Sequence, residues 1–255
     1  LTCAVDEMGR SQAGMGVAAA DIDEDGDFDL WKVHLHRESH ILYLNQGRYF
    51  EEVTSTWGLA APSRRYTGFG TALFDYDLDG LLDTFIANGR VQVVADTTAA
   101  DDIYAEPNQL LRQVEAGRFQ DVSGRAGPAL ALVENSRAAA FGDYDNDGDI
   151  DILLANRDGP ARLLRNEAKR LGNFCSLRIL DRHGRRTFEV RSAYSYCAAN
   201  DPRVHLGLGP AKRIDRVEVR WPVLPEGPFE TFGPFEANRF IEIRQGDRTT
   251  DGTRP

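Results

Sequence analysis

Asp143-Tyr-Asp145-Asn-Asp147-Gly148-Asp149-Ile-Asp151 is the third occurrence of one pattern, D-x-D-x-D-G-x-x-D, in this chain. The earlier copies are Asp21-Ile-Asp23-Glu-Asp25-Gly26-Asp27-Phe-Asp29 and Asp75-Tyr-Asp77-Leu-Asp79-Gly80-Leu81-Leu-Asp83. Carboxylates at positions 1, 3 and 5 of a tight loop converge on one point, and the glycine at position 6 supplies a turn that a Cβ-bearing residue makes only at a cost. A backbone carbonyl at position 7 (Asp27, Leu81, Asp149) and a carboxylate at position 9 (Asp29, Asp83, Asp151) complete an oxygen cage. Hard oxygen donors in that number suit calcium better than zinc or copper. An ordinary Asp-Gly surface turn explains one copy, but three copies with one spacing bring together carboxylates that repel one another without a cation. The calcium loop between two helices closes with a Glu at position 12, where this chain has Lys32, Ile86 and Leu154, so that architecture is excluded.

Outward from the loops, each is entered by a short run of small and apolar residues: Gly14 to Ala20, Gly68 to Phe74, and Ser136 to Gly142. Position 8 is apolar in all three (Phe28, Leu82, Ile150), which pins each loop to a core. Apolar runs follow (Leu30 to Leu35, Thr84 to Ala87, Ile152 to Ala155), and then strand-like stretches beginning at Ile41, Asn108 and Ala161. The first two of these continue as hairpins into a further strand. The repeating unit is therefore about four short strands with an acidic loop at its start, the size of one propeller blade, and Arg90 to Pro107 is an inserted excursion.

Composition sets further bounds. The chain has 255 residues, a net charge of −10 and 42% apolar residues, the balance of a globular chain of one or two domains. Residues 1–170 carry 29 acids and 16 bases, whereas residues 171–255 carry 11 acids and 14 bases. Fifteen of the acids lie in the three loops, so three calcium ions would bring the charge from −10 to −4. The acidity argues against a nucleic-acid partner. No apolar run reaches the roughly 20 residues that cross a bilayer as a helix. The chain starts at Leu1 without a Met or a charged-then-apolar leader, which suggests a processed or partial chain. Cys3, Cys175 and Cys197 fit no zinc or redox spacing. Cys175 and Cys197 lie in two expected strands and would either bridge in an oxidising compartment or act as small buried hydrophobes.

These residues carry a family resemblance. Residues 10–170 resemble the FG-GAP/VCBS repeats of integrin-α-type β-propellers, in which calcium occupies D-x-D-x-D-G-x-x-D loops. Residues 171–246 resemble the ASPIC/UnbV domain that follows such repeats in the cartilage-acidic-protein (CRTAC1-like) family. The carrying residues there are Arg191-Ser-Ala-Tyr-Ser-Tyr196-Cys197, Asp201-Pro-Arg-Val-His205-Leu-Gly207-Leu-Gly209 and Val217-Glu-Val-Arg220-Trp221-Pro222. The resemblance implies an all-β chain: calcium-binding propeller blades over 1–170, forming part or all of a ring, then a small β-sandwich-like domain over 171–255. A full ring of this type has about seven blades, so three acidic-loop units leave a partial ring, self-association or a second chain as ways of closing it. The segment Asp181 to Phe188 is short for the first hairpin of an ASPIC-like domain. Read from the residues, Thr187 to Tyr194 is an expected strand, Ile214-Asp-Arg-Val-Glu-Val-Arg-Trp221 alternates so that one face is core and the other carries Asp215, Glu218 and Arg220, and the Pro-rich stretch Trp221 to Pro234 is a long turn.

No esterase elbow, zinc-protease, phosphate-loop or dinucleotide pattern is present. His34 and His36, on one face of an expected strand and near His40, are the cluster closest to a catalytic or metal set, but no third ligand has a supporting spacing, which favours the polar face of a strand. His205 reads as a core or turn histidine. The functional expectation is a calcium-stabilised extracellular or periplasmic binding and assembly module of adhesion type, without catalysis, meeting a protein or glycan partner through its blade loops. Two alternatives stand beside it. One is a propeller-based enzyme or accessory subunit; the other is a calcium-dependent carbohydrate-binding surface protein, which exposed Trp57, Tyr66 or Tyr104 beside a loop would favour.

Overall fold

Short apolar runs broken by Gly- and Asp-rich turns make strands rather than helices, and the computed structural model is all-β. It describes residues 3, 5, 6, 8–92, 102–176, 188, 194–219 and 229–244. The first sheet is an antiparallel meander of β1 (Val17–Ala20), β2 (Asp29–Lys32), β3 (Ile41–Asn45) and β4 (Phe50–Glu52). One helical turn, α1 (Ala60–Ser63), leads to the second. That sheet begins with β5 (Gly68–Phe74) and β6 (Asp83–Asn88), detours through β7 (Glu106–Pro107), and ends with β8 (Gln109–Glu115) and β9 (Arg118–Asp121). Next comes β10 (Val133–Glu134), which pairs back with β7. The third sheet has three strands, β11 (Ser136–Gly142), β12 (Asp151–Asn156) and β13 (Arg162–Leu164). Its missing fourth strand agrees with the sequence, where only the first two units continue as hairpins.

The registers repeat. Ala20 pairs with Asp29, Phe74 with Asp83 and Gly142 with Asp151, so every acidic loop is the connection between the first two strands of its sheet and position 9 is the first residue of the outgoing strand. The sheets lie side by side through their first strands, with β5 against both β1 and β11. Trp31, Val33, Leu42, Leu44, Ile86 and Leu111 fill the core between the first two sheets. Phe74, Phe85, Leu110, Phe141, Ile152 and Leu154 fill the one between the second and third. Burial at about 25 cal/mol per Å² of apolar surface makes these two cores the main favourable term. The Trp31 indole N–H also donates to Thr71 Oγ1 at 2.9 Å, which ties the first two sheets together and satisfies a polar atom that burial would otherwise penalise.

The C-terminal part begins with β14 (Asn173–Ser176) and continues with β15 (His205–Gly209), β16 (Arg213–Ile214), β17 (Val217–Val219), β18 (Glu230–Phe232), β19 (Phe235–Glu236) and β20 (Arg239–Phe240). β14 lies between β15 and β20, while β16 pairs with β19 and β17 with β18. The alternation from Ile214 holds: Val217 and Val219 are buried with Ile214, Leu206, Phe232 and Phe235, and Glu218 faces outward. The stretch from Trp221 to Pro234, expected as one long turn, contains a strand instead. Glu230–Phe232 pairs with β17, where Phe232 completes the apolar core; residues 221–228 lie outside the described residues. The expected run from Thr187 to Tyr194 and the Asp181 to Phe188 segment also lie almost wholly outside them. Cys197 is exposed with a free thiol, so the Cys175–Cys197 bridge is not made.

Residues 195–201 join the C-terminal part to the sheets. Ser195 Oγ accepts from Thr71 N at 2.9 Å, and the Tyr196 ring meets Phe69 edge-on at 5.0 Å. Asn200 Oδ1 accepts from Phe141 N at 3.1 Å, and Asp201 N donates to Phe141 O at 3.0 Å. The position 8 side chains Phe28, Leu82 and Ile150 converge on the space between the three first strands, which Asp201 and Arg203 help to close.

Candidate metal centres

The three loops share one backbone conformation. Position 6 has φ of 100°, 100° and 99° at Gly26, Gly80 and Gly148, where glycine carries no Cβ penalty. Position 4 also has positive φ, at Glu24, Leu78 and Asn146. Asn suits that region; Leu78 does not, and it is held there fully buried, so the surrounding contacts outweigh a cost of about 1 to 2 kcal/mol.

Position 1 stitches the turn. Asp21 Oδ2, Asp75 Oδ2 and Asp143 Oδ2 accept from the N–H of the position 6 glycine at 3.1, 2.8 and 3.0 Å. Position 5 carboxylates accept from the N–H of position 7: Asp25 from Asp27 at 2.9 Å, Asp79 from Leu81 at 2.9 Å and Asp147 from Asp149 at 3.3 Å. Position 9 does something the pattern alone did not disclose. Asp29 Oδ2, Asp83 Oδ2 and Asp151 Oδ2 accept from the position 2 N–H (Ile22, Tyr76, Tyr144) at 2.8, 3.2 and 3.0 Å. Their Oδ1 atoms accept at 2.8 Å from the backbone N–H of Asn45 at the end of β3, of Gln113 within β8 and of Asn166 two residues past β13. The ninth residue therefore straps the loop to its own sheet, and each of its oxygens keeps a lone pair for a cation.

Three groups of acids result: Asp21, Asp23 and Asp29; Asp75, Asp77 and Asp83; Asp143, Asp145 and Asp151. Within each, one ligand atom per residue lies within 4.8 Å of the others. Positions 1, 3 and 9 are thus brought together. The position 5 carboxylates Asp25, Asp79 and Asp147 lie outside these triads, as do the side chains of Asp27 and Asp149 at position 7, where Leu81 has only its backbone oxygen to offer.

Burial acts against these charges. It pushes the Asp29 carboxyl up to about 7 and that of Asp83 well above the usual range, in spite of the backbone N–H groups they accept. Asp149 is raised to about 7 by burial and then by Asp147 beside it. Asp77 is raised by burial and by Asp79, and its Oδ1 is buried without a hydrogen-bond partner among the described residues. A bound cation reverses each of these penalties, and the all-oxygen donor set fits a hard divalent ion.

The second cage is roofed by the C-terminal part. Leu171 N donates to Asp77 O at 2.7 Å. A Cβ on Gly207 would lie 1.6 Å from Asp75 Oδ2, and one on Gly172 would lie 2.2 Å from Leu78 O, so both positions need glycine. At the third loop Arg203 donates to Asp143 O at 2.6 Å and to Asn146 Oδ1 at 2.8 Å, and His205 Nε2 lies 2.9 Å from Gly148 O. His205 is accordingly a loop-bracing residue.

The other histidines do not gather as their spacing suggested. The strand ends at Lys32, and a turn with Arg37 at φ 73° brings His40 back to His34. Both are fully buried: His40 Nδ1 accepts from His34 N at 3.0 Å, and His34 Nδ1 contacts Ala13 O. His36 uses its backbone N–H on Thr67 Oγ1 at 3.1 Å and stays partly exposed. Trp57 stacks on Phe119 at 6.4 Å, and Trp57, Tyr66 and Tyr104 are all part-buried rather than exposed.

Fold and sites together define an all-β protein of meander sheets whose first connections are acidic cages compatible with calcium, joined to a small C-terminal β-domain. Residues 176–250 match the family model described as ASPIC and UnbV, so the C-terminal domain is of that family. No curated protein matches the chain.

Proposed function

We propose that the chain is a calcium-stabilised binding and assembly module that acts outside the cytosol and performs no catalysis. Its meanders would be FG-GAP/VCBS-type propeller blades in a CRTAC1-like arrangement with the ASPIC/UnbV domain. The observation that carries this reading is the threefold recurrence of one cage: same register, same φ pattern, same strap and same converging triad. Recurrence of that detail favours a bound ion over a solvated turn, because a divalent ion offsets the repulsion among converging carboxylates of which two or three in each loop are buried. The mechanism is structural. Each calcium would fix the connection between the first two strands of a sheet, so that the loops on the sheet ends keep a shape a partner can bind.

Loops of this kind suit compartments with about 10⁻⁴ to 10⁻³ M free calcium, and this supports an extracellular or periplasmic location. The partner would be a protein or glycan; self-association, or a second chain that completes the blade set, fits the three-stranded third sheet. Thermal melts test the reading. Calcium should raise the melting temperature of chelator-stripped protein markedly and magnesium should do so much less; equal melts in chelator and in calcium would overturn it.

A further inference from the structure

The repetition allows the three cages to be superposed residue by residue, and one position does not repeat. Asn45, Gln113 and Asn166 are equivalent, because each gives its backbone N–H to the Oδ1 of position 9 at 2.8 Å. The residue immediately before each is Leu44, Arg112 and Arg165. Arg112 reaches back into the second loop, with Nε 2.8 Å from Asp77 Oδ2 and a terminal nitrogen 2.6 Å from Asp79 Oδ2. Arg165 does the same in the third, 2.7 Å from Asp145 Oδ2 and 3.6 Å from Asp147 Oδ2. Both guanidinium groups therefore engage the same two positions, 3 and 5. In the first loop Leu44 points into the core between the first two sheets, and Asp23 and Asp25 accept backbone N–H groups of their own loop at 3.3 and 2.9 Å, with no guanidinium on them among the described residues.

We propose that Arg112 and Arg165 are built-in counter-ions that set the order of cation binding, so that the first loop, with Leu44 in their place, holds the tightest site. This rests on the calcium reading above. A guanidinium bonded to positions 3 and 5 supplies part of the neutralisation a calcium ion would supply, and it occupies carboxylate oxygens that the ion needs. A cation entering the second or third cage must displace those contacts or share those oxygens with a positive charge. Entering the first, it meets carboxylates at positions 3 and 5 that no guanidinium holds among the described residues. The second cage is only half served by its arginine, since Asp77 Oδ1 has no hydrogen-bond partner among the described residues, so it keeps a weaker site rather than none. The corollary is that the second and third loops hold their shape without a cation better than the first does.

Calorimetric titration of the chelator-stripped full chain with calcium chloride tests this. At least two classes of site are expected, separated by about tenfold or more in affinity, a gap of about 1.4 kcal/mol. Asp25→Asn, at an exposed residue, should weaken the tight class and Asp79→Asn should not. Arg112→Leu should tighten a weak class by about tenfold and lower the melting temperature in chelator, with calcium restoring it. This variant is tolerable because Arg112 borders a cavity of about 770 Å³ that Phe74, Leu110 and Ile152 also line. Arg165→Leu gives the same readout at the third loop, with a smaller change because Arg170 still lies 3.0 Å from Asp147 Oδ1. Sites of equal affinity, or arginine variants with unchanged affinities, would overturn the proposal and leave the calcium reading standing. No heat of binding at all would overturn the calcium reading itself.

Discussion

The first and second acidic loops have the same nine-residue pattern, the same backbone and the same strap, yet their surroundings differ. In the first, Asp23 and Asp25 are exposed to solvent. In the second, Asp75, Asp77 and Asp83 are all buried, and Gly172 and Gly207 of the C-terminal part lie on top of them. The pattern thus determines the loop, while tertiary packing determines what the loop is attached to. The first is open to the medium at Asp23, Asp25 and Asp27; the second is also a joint between two parts of the chain, where order in the cage and docking of the C-terminal domain support each other.

The largest way to break that contrast is at the joint. Gly207→Ala drives a Cβ into Asp75, and neither the buried carboxylate nor the backbone beside it can yield. We expect a loss of about 2 to 3 kcal/mol, seen as a fall of several degrees in melting temperature. Gly14→Ala, on the chain entering β1, meets only the flexible end of Lys32 and should cost far less.

Substitution of the strap comes next, and there the two loops should behave alike. Asp29→Asn and Asp83→Asn each leave one oxygen to accept two backbone N–H groups and turn an amide donor toward the other. Each should cost about 2 kcal/mol in chelator by chemical denaturation, and calcium should no longer restore stability at that loop. At the third loop, Arg203→Ala removes the donors on Asp143 O and Asn146 Oδ1 and should cost about 1 to 2 kcal/mol by the same measurement.

Acid response separates the metal ends from the opposite ends of the sheets. Burial lowers His34 to about 4 and His40 to about 3 from an ordinary 6.5. The unfolded chain therefore takes up protons that the folded one refuses, and stability falls as pH drops below about 6.5. Asp29 acts in the opposite sense. Its carboxyl, pushed up to about 7, disfavours the fold when ionised, and that penalty fades as pH falls. In saturating calcium the histidine effect should dominate, with a lower denaturant midpoint at pH 5 than at pH 7. A midpoint that does not change would show that the two histidines are not held neutral.

Much of this was legible in the residues. Local spacing disclosed the loops, the strands on either side, the four-strand unit with its shorter third copy, and the alternating core face from Ile214, because each depends on near neighbours. What the sequence hid depends on contacts between distant segments. Position 9 looks like a ligand and is also a strap, which only the third strand reveals. Leu78 gives no sign of a positive φ, since its conformation is imposed by burial. His34 and His36 have strand spacing, but the strand ends two residues earlier and the turn selects His40 instead. The Leu44, Arg112 and Arg165 difference was present in the sequence, but unequal spacings between the loops concealed the equivalence.

Amide hydrogen exchange with and without calcium tests most directly that a cation locks the loops. Calcium should slow exchange at the position 2 and position 6 amides, Ile22 and Gly26, Tyr76 and Gly80, Tyr144 and Gly148, with the largest change in the first loop. Equal exchange of those six amides in chelator and in saturating calcium would contradict it.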